Sequence, residues 1–353
     1  MATLLDRCRT PALVMGAGVD RAGGWDAAVR LAERTRAAVW AAPAGEGAGF
    51  PQDHRQFQGI LPLAMAPLAE RLAGYDLVVV FGAPIFRYYP YVPGPVVGEE
   101  TRLIHFTDDA EEAARAPAGM AVIGDVALAL DELARMVGEA TRPAPPMRAR
   151  PAAVADGEPL APAFVMRALA EALPEDAVVV EESASSRAAF YDQVRIKRSG
   201  SYYATGSGGL GFAVPGAVGV QLAWPDRPVV CVVGDGAAMY AVQALWTAAQ
   251  LKAPVVFLVL NNGEYAILKS FAAFHDAPGV PGLDIPGLDI VGIAGGFGCA
   301  GRRIERGKEL GEELRSAFAT ARRERRPMVL DVAIDPAVPP LLHPAPSAEG
   351  EDG

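Results

Sequence analysis

Four uninterrupted apolar runs, each halted by a glycine or an asparagine pair, constrain the fold more than any other feature of the sequence. They are Pro11–Met15 before Gly16, Leu77–Phe81 before Gly82, Pro228–Val233 before Gly234, and Pro254–Leu260 before Asn261-Asn262. A strand that is apolar without alternation has to be covered on both faces, which marks a parallel sheet between helix layers. Stretches of helical period separate the runs, among them Trp25–Thr35, 125–137 and 241–251. The chain is therefore expected to be α/β, with doubly wound and mainly parallel sheets. Its 353 residues suit two such domains better than one.

The first block, residues 1–140, has further expected strands at 38–41 and 102–106. Residues 141–159 hold Pro143, Pro145, Pro146, Pro151 and Pro159 with little apolar period, and read as a linker with semi-rigid stretches. The second block, residues 160–335, reads as helix 163–173, strand 177–182, a glycine-rich turn and helix within 206–223, then the two long strands around helix 241–251. Helices from about 265, at 290–297 and at 308–322 precede a last strand at 328–334. Residues 336–353 form a proline-rich tail.

Composition excludes several classes of function. Asp and Glu number 42 against 32 Lys and Arg, a net charge of −10, which argues against nucleic acid or an anionic membrane as partner. A hydrophobic fraction of 51% rules out a disordered regulator. Cys8, Cys231 and Cys299 lie far apart with no Cys-x-x-Cys, so neither a structural zinc nor a disulfide framework is expected. The N-terminus has no apolar signal core, and no run approaches the roughly 18 apolar residues of a membrane span. A soluble, cytoplasmic protein is the expectation. His54, His105, His275 and His343 stand singly and read as surface or satisfied core residues.

Two sites could bind a phosphate-bearing ligand. Gly16-Ala17-Gly18 follows a strand, but Arg21 stands where a dinucleotide fingerprint needs its third glycine, so this is either a weak nucleotide signal or a tight βα turn. No Walker A sequence and no Gly-x-Ser-x-Gly elbow occur. In the second block Gly234-Asp235-Gly236 and Asn261-Asn262-Gly263-Glu264 both fall at the carboxyl ends of expected parallel strands, 24 residues apart. Each alone reads as a turn. Together, the Asp235 carboxylate, the Asn262 amide oxygen and a main-chain carbonyl turned inward at Gly263 offer hard oxygens suited to Mg²⁺. Gly234 and Gly236 would let the backbone approach a diphosphate.

That paired motif resembles the signature of thiamine diphosphate enzymes, and the stretch 182–271 is most similar to the benzoylformate decarboxylase group. Gly200-Ser-Tyr-Tyr203, Gly208-Gly-Leu-Gly-Phe-Ala213, Ala244-Leu-Trp-Thr-Ala-Ala-Gln250 and Pro281-Gly-Leu-Asp-Ile-Pro-Gly287 carry it further, as do Phe86-Arg87-Tyr88-Tyr89 and Glu112-Ala-Ala-Arg-Ala-Pro117 in the first block. The resemblance implies a middle domain followed by a diphosphate-binding domain. It implies thiamine diphosphate as electron sink for the decarboxylation of a 2-oxo acid, bound with Mg²⁺ or Ca²⁺. Asp235 and Asn262 would be side-chain metal ligands and Glu264 a main-chain one. Gly208 would accept from the cofactor's 4′-amino group, and Leu210 would hold the cofactor bent. Ala184, Ser185, Gly209, Gly234, Gly236, Ala237, Tyr240 and Tyr265 would complete the cofactor site. Ala204, Ile267, Leu268 and Phe271 would line the substrate pocket.

Departures from the family pattern carry expectations of their own. Tyr89 occupies the position of a catalytic histidine, and a phenol with pKa near 10 is a poor proton relay at neutral pH. Either protonation goes through water or another group, or the substrate differs, or Tyr89 only packs. Alanines at 184 and 237, where hydroxyls are common, leave backbone N–H groups and the metal to hold the diphosphate. The family's pyrimidine-binding domain and its activating glutamate find no counterpart in these residues. The chain is thus expected to be a fragment, half of a split enzyme that works with a separate pyrimidine-domain subunit, or a non-catalytic remnant or scaffold, and to form a homo-oligomer. Alternatives within the family are an acetolactate synthase-like carboligase or a pyruvate or indolepyruvate decarboxylase.

Overall fold

In the computed structural model, residues 1–341 are described except Arg87, Tyr88, Arg150 and Ala153. The middle of the Phe86–Tyr89 motif, His343 and most of the expected tail therefore lie outside the described residues. Every long apolar run becomes a buried strand. The first block runs α1 (Ala2–Arg7), β1 (Pro11–Met15), α2 (Ala17–Arg21), α3 (Trp25–Thr35), β2 (Ala38–Ala41), β3 (Phe57–Ile60), α4 (Met65–Leu72) and β4 (Leu77–Phe81). It closes with β5 (Arg102–Thr107), α5 (Ala110–Arg115), β6 (Met120–Ile123) and α6 (Val126–Met136). Its six strands are parallel in the order β3-β2-β1-β4-β5-β6.

The second block runs α7 (Pro162–Ala172), β7 (Val178–Glu182), α8 (Arg187–Gln193), β8 (Tyr202–Ala204), α9 (Ala213–Ala223), β9 (Val229–Gly234), α10 (Asp235–Ala238), α11 (Ala244–Gln250) and β10 (Val255–Asn261). There follow α12 (Ala266–Phe274), α13 (Ile290–Gly296), β11 (Ala300–Ile304), α14 (Gly307–Glu324) and β12 (Met328–Ala333). These strands too are all parallel, ordered β11-β12-β10-β9-β7-β8.

Helix positions follow from burial and capping. In α3, Ala28, Leu31 and Ala32 face the sheet and meet Leu130, Leu133 and Ala134 of α6 in one core. Each buried leucine there contributes about 1.5–3 kcal/mol. Asp125 starts α6 by accepting the Leu128 N–H, and Asp289 starts α13 through Gly292. Four strands (β3, β6, β8 and β11) and six short helices (α1, α2, α4, α5, α8 and α10) went unread in the sequence. β3, β6 and β11 are short edge strands, and β11, Ala-Gly-Arg-Arg-Ile, has no apolar run at all. The α8–β8 segment lay in what reads as a glycine-rich turn, and the helix expected within 206–223 starts only at Ala213.

The linker is strapped down rather than free. Arg142 donates to the Leu5, Asp6 and Thr35 carbonyls, Gln58 to the Pro146 carbonyl, and Arg148 pairs with Asp192 across the seam. The blocks also meet directly. Asp20 accepts from Ser199 Oγ at 2.5 Å and the Gly200 N–H at 2.9 Å, Gln52 pairs with Ile196, and Ala204 N–H donates to the Glu46 carbonyl. Ala48 and Trp25 pack into the second block's core. No helix among the described residues is long and apolar enough to cross a membrane.

Candidate active site

In the second sheet the chain leaves β7 for β8 on one side and resumes at β9 on the other. Connections that diverge in this way leave a crevice at the carboxyl ends of the strands. Four segments surround it: 183–186 after β7, 205–212 before α9, 234–238 after β9, and 262–265 after β10.

Asp235 is the centre of this arrangement. It is buried at 2% exposure, and its two oxygens accept the Gly236 and Gly263 N–H groups at 2.8 Å each, tying the β9 turn to the β10 turn. Desolvation pushes its carboxyl pKa up, against the pull of those two N–H groups, and Asp331 adds like charge. Among the described residues no cation pairs with Asp235. A buried carboxylate without a counter-charge is costly, and a bound divalent ion would offset that cost.

The β10 turn separates its donors cleanly. Asn261 turns away and donates to Asp331, which Arg303 also holds, while Asn262 stays at the turn and its Oδ1 accepts the Glu264 N–H at 3.3 Å. Glu264 pairs with Asp284 as an antiparallel bridge, through Tyr265 N–H to the Leu283 carbonyl and Ile285 N–H to the Gly263 carbonyl. Such a pairing spends the Gly263 carbonyl and turns that of Glu264 to the opposite side. The Glu264 carboxylate is taken by Lys269, which also binds Asp284. The Glu264 carbonyl is left outside that antiparallel pairing. One carboxylate, one amide and one carbonyl do not make a cluster of three His, Cys, Asp or Glu, and among the described residues no such cluster occurs.

The turns around the crevice differ in how much room they leave. A Cβ built on Gly234, Gly263 or Gly208 would meet no atom within 4 Å, so the crevice is open in front of all three turns. Gly236 is the opposite: its Cβ would come within 2.4 Å of the Tyr265 ring, which fixes that ring over the start of α10. Ala237 is buried beside it, Ala184 and Ser185 are half-buried after β7, and Tyr240 is exposed. Gly208 has φ +76°, a conformation that favours glycine, and Gly208 and Gly209 are exposed ahead of the half-buried Leu210.

Tyr89, from the first block, reaches the second: its ring lies 4.9 Å from that of Phe271 on α12. Ile267, Leu268 and Phe271 recur at helical spacing on that helix. Ala204 is placed differently, buried in the core with Phe190 and Tyr202 rather than in the Tyr89–Phe271 pair. The Gly16–Gly18 turn, by contrast, spends its N–H groups on the Phe81 and Gly82 carbonyls, which favours the tight-turn reading. A cavity of about 530 Å³ lies elsewhere, at the seam near Arg148, Asp192 and Arg195.

Sequence reasoning missed the two carboxylates that end β7. Glu181 is fully buried and bound by Ser183, Arg187 and Tyr202. Glu182, 1% exposed, accepts the Gly211 and Ala213 N–H groups at 2.6 Å each. Two adjacent acids closing an otherwise apolar strand were the available signal.

A switch-point crevice holding an uncompensated carboxylate belongs to the α/β domains that receive a charged ligand at their strand ends. The chain belongs to the thiamine pyrophosphate enzymes: the central domain of that family matches residues 1–133, and its C-terminal TPP binding domain matches 183–332. It is similar to the benzoylformate decarboxylase of Pseudomonas aeruginosa, 42% identical over 329 residues, which cover 93% of this chain and 62% of the relative. Among solved structures, the Rhodococcus jostii thiamine diphosphate-dependent 4-hydroxybenzoylformate decarboxylase superposes with a TM-score of 0.91 at 43% identity, over 95% of this chain and 63% of that one. Benzoylformate decarboxylase from Polynucleobacter necessarius gives 0.91 at 35% identity, over 96% and 64%. The chain thus spans less than two thirds of the length of these relatives.

Proposed function

We propose that this chain supplies the diphosphate- and metal-binding part of a 2-oxo acid decarboxylase of the benzoylformate type. The observation that carries the reading is Asp235, a buried carboxylate without a cation that joins two turns beside Asn262. Asp235, Asn262 and the Glu264 carbonyl would hold Mg²⁺, and backbone groups at 184–185 and 236–237 would face the diphosphate. Thiamine diphosphate, when bound, supplies the electron sink for loss of CO₂ from a 2-oxo acid. The protein's own share is to orient: Gly208 offers its carbonyl to the pyrimidine side, Leu210 supports the bent cofactor, and Tyr89 with Phe271, Ile267 and Leu268 borders the substrate. Decarboxylation is favoured over carboligation because the relatives at 42% and 43% identity are decarboxylases by name.

Exposed Phe212, Leu222, Tyr240 and Trp246 on the second block support a surface that a second copy or a pyrimidine-domain polypeptide covers. Three free thiols suit a reducing, cytoplasmic setting. Taken alone, these 353 residues are expected to bind cofactor weakly and to leave benzoylformate intact, because none of their acidic residues is assigned to the cofactor's pyrimidine and acid–base assistance of that kind is worth about 10²–10⁴-fold. Calorimetry with thiamine diphosphate, run with Mg²⁺ and again with chelator, tests the reading. Binding should require the metal and should disappear in Asp235→Ala, and equal binding under both conditions would defeat it.

A further inference from the structure

β7 ends in two buried carboxylates whose side chains take opposite partners. Glu181 is neutralised by Arg187 at 3.0 Å and bonded by Ser183 and Tyr202, so it belongs to an internal ion pair. Glu182 has no cation partner among the described residues. Both its oxygens go to main-chain N–H groups at 2.6 Å, one at Gly211 and one at Ala213, the first residue of α9. Hydrogen bonds to an ionised carboxylate are roughly twice as strong as neutral ones. They pin the end of a segment whose preceding residues, 207–209, are solvent-exposed and rich in glycine.

That segment carries Gly208 and Leu210. Glu182 also stands at the carboxyl end of β7, directly before the 183–186 turn on the other wall of the crevice. One side chain therefore ties the glycine-rich wall to the strand from which the opposite wall departs. From this juxtaposition we infer that Glu182 is a positioning residue: it sets the register of the Gly208–Phe212 loop so that Gly208 and Leu210 meet the pyrimidine and thiazolium half of the cofactor. Its carboxylate hydrogen bonds go to Gly211 and Ala213 and not to Asp235, Asn262 or Glu264. The inference rests on the functional reading above.

Two ligands separate a positioning role from a structural one. Magnesium pyrophosphate needs the Asp235–Asn262 turns and the 184–185 backbone but not the 207–212 loop, whereas magnesium thiamine diphosphate needs that Glu182-anchored loop as well. In calorimetry, Glu182→Gln should weaken thiamine diphosphate by about tenfold or more, the effect of losing a charge-assisted bond, while pyrophosphate stays within about twofold. Glu182→Asp, which keeps the charge but withdraws it by one methylene, should fall between and carries the test if the glutamine variant does not fold. A parallel loss of both ligands would mark Glu182 as merely structural and overturn the inference, as would unchanged affinity for thiamine diphosphate. Wild-type chain that binds pyrophosphate but not thiamine diphosphate, or neither, would overturn the functional reading and the inference with it.

Discussion

The two sheets of this chain have the same number of strands, the same parallel sense and a reversal of strand order near the middle, yet only one keeps an open crevice there. In the first, the reversal falls between β1 and β4. Gly16 and Gly18 press against Gly82 so closely that a Cβ on Gly16 would lie 2.3 Å from Ala83 Cβ and from the Gly82 carbonyl oxygen. The N–H groups that could hold a phosphate are spent on the Phe81 and Gly82 carbonyls, and Gly49 packs over Gly16 from above. In the second, the turns at Gly208, Gly234 and Gly263 face open space. Glycine after a strand thus has two opposite uses: it lets backbones meet and seal a switch point, or it leaves a switch point clear for a ligand. Strand order alone does not decide between them.

Breaking the seal should cost more than any change in the open crevice. Gly82 has φ +60°, and its Cβ would sit 2.6 Å from the Val19 nitrogen and 2.7 Å from the Gly18 carbonyl carbon, both backbone atoms that cannot step aside. Gly82→Val adds a β-branched side chain to that clash and to an unfavourable φ. A loss of more than about 4 kcal/mol is expected, enough to unfold the first block. Chemical denaturation followed by hydrogen exchange in each block would show it, and a first block still protected in Gly82→Val would remove the distinction between the two crevices.

This contrast also marks how far the sequence could be read. The eight strands inside the sheet edges were legible, because a strand covered on both faces must be apolar throughout, and so was the placement of Asp235 and Asn262 at the carboxyl ends of neighbouring strands. The edge strands β3 and β11 were not, since a strand at an edge can carry Gln58 or Arg302 and Arg303 at exposed positions and so loses the pattern. Nor could spacing tell that Glu182 reaches a loop 29 residues onward, because that contact exists only once β7 and α9 are packed together. Gly16-Ala17-Gly18 and Gly234-Asp235-Gly236 look alike in one dimension. They differ in what stands opposite them, and that is set by tertiary structure.

Within the open crevice, Gly236 makes a closer approach than Gly208, Gly211, Gly234 or Gly263, and it should cost less than Gly82. Its Cβ would meet Tyr265 ring atoms at 2.4 and 2.7 Å and the end of Ile285 at 2.9 Å, all side-chain atoms that can shift. Gly236→Ala is expected to lower stability by about 1–3 kcal/mol, the usual cost of overpacking. It should also weaken metal-dependent binding, because the displaced Tyr265 ends the turn that carries Asn262 and Glu264. A thermal shift with intact binding would relocate the metal site away from this turn.

A smaller and opposite response to pH should distinguish the two sheets. Burial holds the His105 imidazole below its ordinary value, against a weaker pull from the Ala83 backbone, so its contribution to stability is present above the ordinary histidine range and lost as pH falls through the lowered value. Burial holds the Glu182 carboxyl above its ordinary value, against the N–H groups of Ala213, Gly211 and Phe212, with Glu181 adding like charge. Its contribution is full below the ordinary carboxyl range and lost as pH rises through the raised value. On acidification from about pH 7 to about pH 5, the first sheet should lose hydrogen-exchange protection and the second should hold or gain it. His105→Leu should abolish the first sheet's share, and an identical acid response in that variant would assign the effect to another group.

The least costly change should be the most informative about the ligand. Gly234 has φ −72° and ψ 152°, which any residue adopts, and nothing lies within 4 Å of its Cβ position. Replacing it by alanine removes unfolded-state freedom without a native clash, so Gly234→Ala should be neutral or stabilising by about 0.4–1 kcal/mol. The methyl group would nevertheless enter the space in front of the β9 turn, beside Asp235, where the proposed function has a diphosphate approach the backbone closely. Thiamine diphosphate and pyrophosphate should therefore both weaken, together, in a protein at least as stable as the original. That pattern is the inverse of the one expected at Gly82, where stability collapses because backbone already fills the corresponding space. Undiminished affinity in Gly234→Ala would mean that the diphosphate lies elsewhere in the crevice, and the open space before β9 would need another occupant.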